Sequence, residues 1–512
     1  MHKVVIVGGG TAGIMSAAIV KSAFKENVEV TLIYDHKNPG IGVGESLTPS
    51  LRTFMQQTGL KEGELIRNVN ATIKIGLKFK NWLNDGKYYY HGFSQISVAA
   101  HNNLSAAYAI ANNIYDMDNM FPNYYFENHL VPKHTSFLPK PAGAIENPVQ
   151  ADILNSTTLH LDATLLSSFL ISKFKNSLKI IDDVVLDVTL KDESNIAELI
   201  LKNNGKISGD VYIDATGFSR VLMKRLKNKW NDMSDWLPID KFIPNPVPTT
   251  HTELQPYTTA EATDNGWILQ VPLQNRWGTG YLYSSQFTSD DEAYEKFDKW
   301  SKLTYGKNIN SNKSLSFKSG YWEDQWVGNC LVVGLASGFA EPLEATNIHH
   351  TINQISQFCK YYNPPMLEWD RIPYNKIQKI SYENIYLYLR FCYTTGRTDS
   401  EFWKYMTSTT PVIVKHLDDK LKSGYLNVLD NASGIMFNAI NFTCIGHGLN
   451  KFNADKVKDA LIKNGQYTRS ENLYKKLMRA RDLEKNNVIT SNNYIDAIRG
   501  RRGIDGKYFK IL

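Results

Sequence analysis

Apolar residues gather in short unbroken runs at the start of the chain. Val4–Val7 is one such run, and Gly8-Gly-Gly-Thr-Ala-Gly13 follows it at once. An unbroken run predicts a strand covered on both faces. The small and apolar spacing of Ile14–Val20 predicts a helix, and Val28–Ile33 a second strand. The order strand, glycine turn, helix, strand puts Gly8, Gly10 and Gly13 in the G-x-G-x-x-G spacing that lets a backbone approach a pyrophosphate at a helix start. Asp35 follows 22 residues after Gly13, near the place where an acid holds a ribose.

Further along, Pro39–Pro49 is glycine-rich, and by itself reads as a loop before a capped helix. Ile73–Lys80 alternates strictly, which predicts a strand with Lys74, Lys78 and Lys80 on one face. Read alone, that is a solvated face. Residues 84–150 are rich in Tyr, Asn and His without clean periodicity, as expected of an inserted lid or loop module. The rhythm resumes with a helix over Leu161–Leu170, a strand at Ile180–Leu186 and a hairpin reaching Lys206. Val211–Asp214 is a buried strand ending in the turn Ala-Thr216-Gly217. Gly266–Leu273 and Thr279–Ser285, joined across Gln-Asn-Arg, predict antiparallel strands of a second sheet.

The run Leu331–Leu335 then leads through Ser337–Ile348 into a helical segment read as starting at His349. That turn carries Glu344 beside a helix start, where backbone N–H groups favour a negative ligand. On local grounds alone, Glu344 is an acid favouring the helix dipole. From about Asn347 the pattern is helical to the C-terminus, with Asn453 as an N-cap.

Composition narrows the classes. The chain has 512 residues, 42% hydrophobic and 21% charged, enough for more than one packed module. Its net charge of +6 is mild and interspersed, so nucleic-acid binding is not implied. Cys330, Cys359, Cys392 and Cys444 are widely spaced with no CxxC pair, which fits free thiols and no metal site. Neither a signal peptide nor a membrane-spanning run is read, so a cytoplasmic protein is expected.

Taken together, Gly8–Gly13, Gly42-Val-Gly-Glu45, Asn70–Lys74 with Phe79–Trp82, Asp214–Phe218, Trp326–Cys330 and Glu341-Pro-Leu-Glu344 stand in the order and spacing of one family. Over most of its length the chain resembles the flavin-dependent halogenases of the tryptophan-halogenase type. The resemblance implies an α/β fold: an FAD-binding Rossmann-like domain of the GR2 flavin-monooxygenase kind, a second sheet, and a mostly helical C-terminal module. The boundaries expected are 1–83 with 151–385 for the core, 84–150 for the lid and 386–512 for the module closing the substrate pocket.

It also implies chemistry. Reduced FAD and O₂ oxidise halide to hypohalous acid, which reaches a lysine beside an aromatic substrate; Lys74 matches that lysine and Glu344 the glutamate that works with it. An ammonium polarises the halogen, and a carboxylate stabilises the cationic intermediate or takes its proton. Residues matched to the cofactor are Gly8, Gly10, Thr11, Ala12, Gly13, Asp35, Gly42, Val43, Gly44, Glu45, Ser46, Val185, Thr216, Gly217, Gly334 and Ile348. Thr346 and Asn347 match the halide site. His91, Phe93, Phe437 and Phe442 match the substrate pocket, with ordinary packing the other reading of His91 and Phe93. A separate flavin reductase would supply FADH₂, since the chain has a single dinucleotide fingerprint, and a homo-oligomer is compatible.

The chain departs from the family at Leu269 and Val271, within the stretch that reads WxWxIP in relatives, and at Ala345 and Asn347, where serine and glycine are usual. Ala345 and Asn347 point to bromide or iodide over chloride, and the lack of a match for the residues that grip the amino-acid end of free tryptophan points to another aromatic. Two alternatives stay open: a flavin monooxygenase or reductase on the same fold, and a non-catalytic flavin-fold binding protein.

Overall fold

The structure, a computed structural model, describes residues 1–37, 44–93, 103–112, 157–248, 254–311, 313–362, 368–422, 435–484 and 491–500. The chain divides into two units, one of residues 1–70, 161–241 and 315–386, the other of 71–160, 242–314 and 387–512.

The first unit is built on a six-stranded sheet in the order Trp326–Val327, Cys330–Val332, Val211–Asp214, His2–Val7, Val28–Tyr34, Lys179–Asp182. All neighbours are parallel except the first pair. Val4–Val7 is buried on both faces as predicted. Val5 and Val7 pack with Val188, Leu199 and Leu201 of the antiparallel hairpin formed by Val185–Leu190 and Ile196–Leu201. Val4 and Ile6 alternate to the opposite face. The helix Thr11–Phe24 covers the sheet with Ile14, Met15, Ala17, Ala18 and Val20 buried.

The second unit holds a larger sheet. Six of its strands run in the order Lys241–Pro248, Arg276–Tyr283, Gly266–Pro272, Tyr257–Thr263, Gly76–Lys80, Tyr88–Gly92. The predicted pair forms as an antiparallel hairpin, with Trp267 opposite Leu282 and wholly buried. Despite Leu269 and Val271, the hairpin is regular.

The strand expected at Ile180–Leu186 is instead two, Lys179–Asp182 in the parallel sheet and Val185–Leu190 in the hairpin. Two further expectations are corrected. Ile73–Lys80 is not one strand: Thr72–Lys74 pairs antiparallel with Thr158–His160, whereas Gly76–Lys80 joins the larger sheet. Ile75 is the break, its N–H donating to Pro256 O and its carbonyl accepting from Phe93 N–H. Lys78 and Lys80 keep a common face in their strand, and Lys74 is separated from it. Lys74 is buried, Lys78 lies over the Tyr88 ring at 3.6 Å and Lys80 pairs with Glu261 at 2.9 Å. Secondly, the helix after Glu344 starts at Thr346, three residues earlier than the apolar spacing suggests.

The predicted helical C-terminal region is present, and Asn453 caps its helix by accepting from Lys456 N–H at 3.0 Å. Of the lid, only 84–93 and 103–112 fall within the described residues, and these belong to the second unit. No disulfide joins any two of the four cysteines. Among the described residues no helix is long and apolar enough to cross a membrane.

Candidate active site

Three adjacent parallel strands of the first unit, ending at Val7, Asp214 and Val332, deliver Gly8, Thr216–Gly217 and Gly334 to the carboxyl edge of one sheet. In open α/β sheets that edge is where ligands bind. Sterics explain the glycines. A Cβ on Gly8, whose φ is +119°, would stand 2.3 Å from Ala215 O, and one on Gly13 would stand 1.8 Å from Gly8 O. Gly334, at φ +61°, presses against Ala12. By contrast nothing lies within 4 Å of the place a Cβ on Gly10 would take.

The helix that follows has neither a side-chain cap nor an acid in its first turn. A close-approach gap at an open helix start fits a pyrophosphate. Gly10 has φ −68°, which any residue adopts. Gly10→Ala is therefore expected to leave the melting temperature of the ligand-free protein unchanged or slightly raised, and, with FAD as the ligand the resemblance implies, to weaken its binding about tenfold by filling the space a pyrophosphate would take. Flavin titration alongside thermal melting checks this.

The other cofactor matches are distributed along this edge or have been used locally. Thr216 Oγ donates to Asp214 Oδ1 at 2.6 Å and accepts from Val221 N–H, so its hydroxyl organises the turn. Asp35 accepts from Lys37 N–H, and Val185 opens the hairpin. Near Asp35, ligand-type atoms of His36 and Asp182 gather within 4.8 Å, but these two already pair at 2.5 Å. Glu45 is half-buried, and burial pushes its carboxyl up to about 7. Gly44 and Ser46 flank it in one short strand, and Gly42 and Val43 lie outside the described residues.

Glu344 is 1% exposed. Ala345 after it takes the left-handed conformation, φ 58° and ψ 38°, and is the N-cap of the helix Thr346–Tyr361. An alanine offers no capping oxygen, and the first turn holds no acid. Thr346, Asn347 and Ile348 thus begin a helix whose positive end is uncapped by any side chain.

In the second unit Lys74 is wholly buried, with Nζ 4.5 Å from the centre of the Phe93 ring. Phe93 meets His91 edge-on at 6.4 Å. His91 is clamped, Nδ1 to Tyr388 hydroxyl at 3.2 Å and Nε2 to Asn441 Nδ2 at 3.0 Å. Phe437 stacks on Tyr388 with ring centres 3.8 Å apart, and Phe442 meets the same tyrosine edge-on while being fully buried. One tyrosine thus gathers three of the four predicted pocket residues, and Phe93 joins through His91. Lys74 belongs with them, while Glu344 and the halide-site residues belong to the other unit.

Sequence reasoning missed Tyr388 and three histidines. His160 sits opposite Thr72, two residues before Lys74, in a buried chain: Thr72 Oγ donates to Pro272 O at 2.5 Å, His160 Nδ1 lies 3.0 Å from Thr72 Oγ, and His160 Nε2 3.0 Å from Thr258 Oγ. Because the threonine proton points at Pro272, the ring proton sits on Nδ1. Burial, reinforced by the Lys74 ammonium, holds this imidazole well below its ordinary range. Burial likewise brings His349 down to about 4 and His350 down to about 3. His349 bonds Thr48 through Nδ1 at 2.8 Å. The adjacent pair His349-His350 at a helix start was the available signal.

These groups give stability a definite pH dependence. Below about pH 6.5 the unfolded histidines protonate while the folded ones stay neutral, so the unfolded state binds more protons and stability is lost as the pH is lowered. His447, also lowered by burial, acts in the same direction. Glu45 opposes, since it is protonated in the folded chain up to about 7. With four histidines against one carboxyl, stability is expected to decline as the pH is lowered from about 6 to 5. Denaturant unfolding across that range checks it, and a flat profile contradicts it.

Comparison with known proteins gives consistent matches. A family profile described as tryptophan halogenase matches residues 3–461. A tryptophan 6-halogenase of Streptomyces toxytricini, SttH, is 32% identical over 422 residues, 78% of this chain and 80% of that protein. Its crystal structure superposes with a TM-score of 0.81, covering 97% of this chain and all of that one at 27% identity. The tryptophan 7-halogenase RebH of Lentzea aerocolonigenes is 28% identical over 434 residues, 79% of this chain and 78% of that protein. The structure of a tryptophan C-6 flavin-dependent halogenase (chlorinase) from taromycin biosynthesis superposes at 0.81 with 25% identity, over 98% of this chain and all of that one.

Proposed function

The chain belongs to the tryptophan halogenase family, whose members are flavin-dependent enzymes acting on aromatic substrates, and from that premise we propose the reaction it performs. It halogenates an electron-rich, indole- or phenol-like compound other than free tryptophan, using FADH₂ from a separate diffusible reductase in the cytoplasm, O₂ and a halide. When bound, reduced FAD would give two electrons to O₂, whose peroxide-level oxygen would oxidise halide to hypohalous acid while the other oxygen atom leaves as water. Gly8, Gly10, Gly13 and Gly334 hold the cofactor by backbone approach, and Thr346 and Asn347 hold the halide. Lys74 hydrogen-bonds the hypohalous acid and polarises its halogen toward carbon. Glu344 stabilises the cationic intermediate and takes the ring proton.

The observation that carries the reading is Lys74. A lysine buried to 0% exposure is costly unless its charge is used, and this one faces an aromatic ring in a wall of aromatic side chains. Ala345 and Asn347 motivate a preference for bromide or iodide, which oxidise more easily than chloride.

The test is mass spectrometry of a mixed panel of indoles and phenols incubated with reduced FAD, O₂ and each halide in turn. Monohalogenated product with a fixed regiochemistry is expected, more with bromide or iodide than with chloride. Oxygenated product free of halogen would instead make the enzyme a monooxygenase, and exclusive chlorination would remove the halide preference.

A further inference from the structure

The start of the Thr346–Tyr361 helix borders a small cavity lined by Gly334, Gly338, Thr346, Asn347, His350 and Tyr382. It leaves about 10 Å³ for the centre of a water-sized particle, room for one small ion or water. Its walls are tight: a Cβ on Gly338 would stand 2.7 Å from the Tyr382 ring, and the Tyr382 hydroxyl is bonded to Ser337 at 2.6 Å.

His350 is 3% exposed, and its Nε2 has no hydrogen-bond partner among the described residues. Buried ring nitrogens left dry are rare, so this atom points to a ligand. The residue follows Thr346 by four positions and Asn347 by three, which puts it on their face of the helix. Helical side chains lean toward the N-terminus, so the imidazole lies back over that first turn. Its other nitrogen, Nδ1, is 3.1 Å from Ser381 Oγ. When the serine hydroxyl donates to Nδ1, the ring proton sits on Nε2 and is offered to the cavity.

Donors border the cavity on two sides, and the Asn347 amide can turn its NH₂ toward it as well. The helix start contributes backbone N–H groups uncapped by any side chain, and the ring contributes one more. A spherical anion needs donors and no fixed geometry, and the positive end of the helix favours it over a cation.

We propose that His350 is a halide ligand, its Nε2–H completing the donor set begun by Thr346 and Asn347, with Ser381 as the positioning residue that fixes the tautomer. Only the identity of the anion rests on the halogenase reading; the donor set does not.

The experiment titrates the FAD-loaded protein with sodium bromide, reading the flavin spectrum, and compares His350→Phe, His350→Gln and Ser381→Ala. His350→Phe keeps ring shape without a donor and should raise the bromide Kd at least tenfold, with FAD content, melting temperature and KM for the aromatic substrate unchanged. His350→Gln retains an N–H and should recover much of that loss; Ser381→Ala should fall between them. A bromide-soaked crystal should show an anomalous peak within hydrogen-bond reach of Nε2.

A Kd within twofold of the parent in folded His350→Phe, a peak elsewhere, or no bromide binding by the parent overturns the proposal. If the phenylalanine variant does not fold, the glutamine and Ser381 variants decide it. Failure of the parent to halogenate with any halide would refute the proposed function alone, since the bromide titration still reports on His350.

Discussion

A Lys74→Ala enzyme will bind FAD and consume oxygen at the parental rate, yet its yield of regioselectively halogenated product will fall by about a thousandfold or more, the scale of losing a positioned electrophilic donor. The expectation follows from where the lysine sits. Its strand is three residues long and flanked by Ile73 and Ile75, both buried, and its ammonium faces Phe93. Removing the side chain takes away the only feature of this strand that can polarise a halogen, and touches none of the glycines on the flavin edge. Lys74→Met, nearly equal in volume, separates chemistry from packing: it should fold like the parent and be equally inactive. A product peak retained at parental regiochemistry in either variant would show that the lysine is not the directing group.

Glu344→Gln is expected to lower the rate of halogenation by roughly 10²- to 10³-fold, the range for losing a general base. The amide matches the carboxylate in shape but neither carries the charge nor accepts the ring proton. With halide held as proposed, by the backbone of Thr346 and Asn347, bromide affinity should be unchanged, and oxidised halogen should still be made. A thioether added as a trap would be oxidised by this variant as fast as by the parent, while aromatic product declines. Parallel loss of trap oxidation and aromatic product would instead place Glu344 upstream, in making the oxidant. The two variants therefore differ in substrate turnover but agree in oxygen consumption.

The parts of the fold that could be read beforehand were those carried by local pattern. Val4–Val7, the glycine turn, the hairpin to Lys206, the pair around Trp267 and the cap at Asn453 all appear as expected, because strand alternation, turn chemistry and capping are decided within a few residues. The lysine-rich run failed for the complementary reason. Its alternation is regular in the sequence, but Ile75 answers to Pro256 and Phe93, partners brought by the fold. The same holds for the site. Lys74 and Glu344 were singled out by motif and the helix start was read three residues late, whereas Tyr388, His160 and His350 acquire meaning only from partners such as His91, Thr258 and Ser381. No periodicity encodes a hydrogen bond across 98 or 297 residues.

The bond from Thr72 to Pro272 joins two stretches 200 residues apart. Pro272 ends the strand that begins at Gly266 and carries the altered tryptophan motif, and Thr72 stands two residues before the buried lysine. A proline has a carbonyl to offer and no N–H to satisfy, so the motif's last residue suits an acceptor on which another strand is hung. Seen this way, the hairpin is a tether for the lysine strand, and its two ends would be inherited as one unit. Tryptophan positions such as Leu269 can drift along its length, while the proline and the threonine that holds it would have to change together.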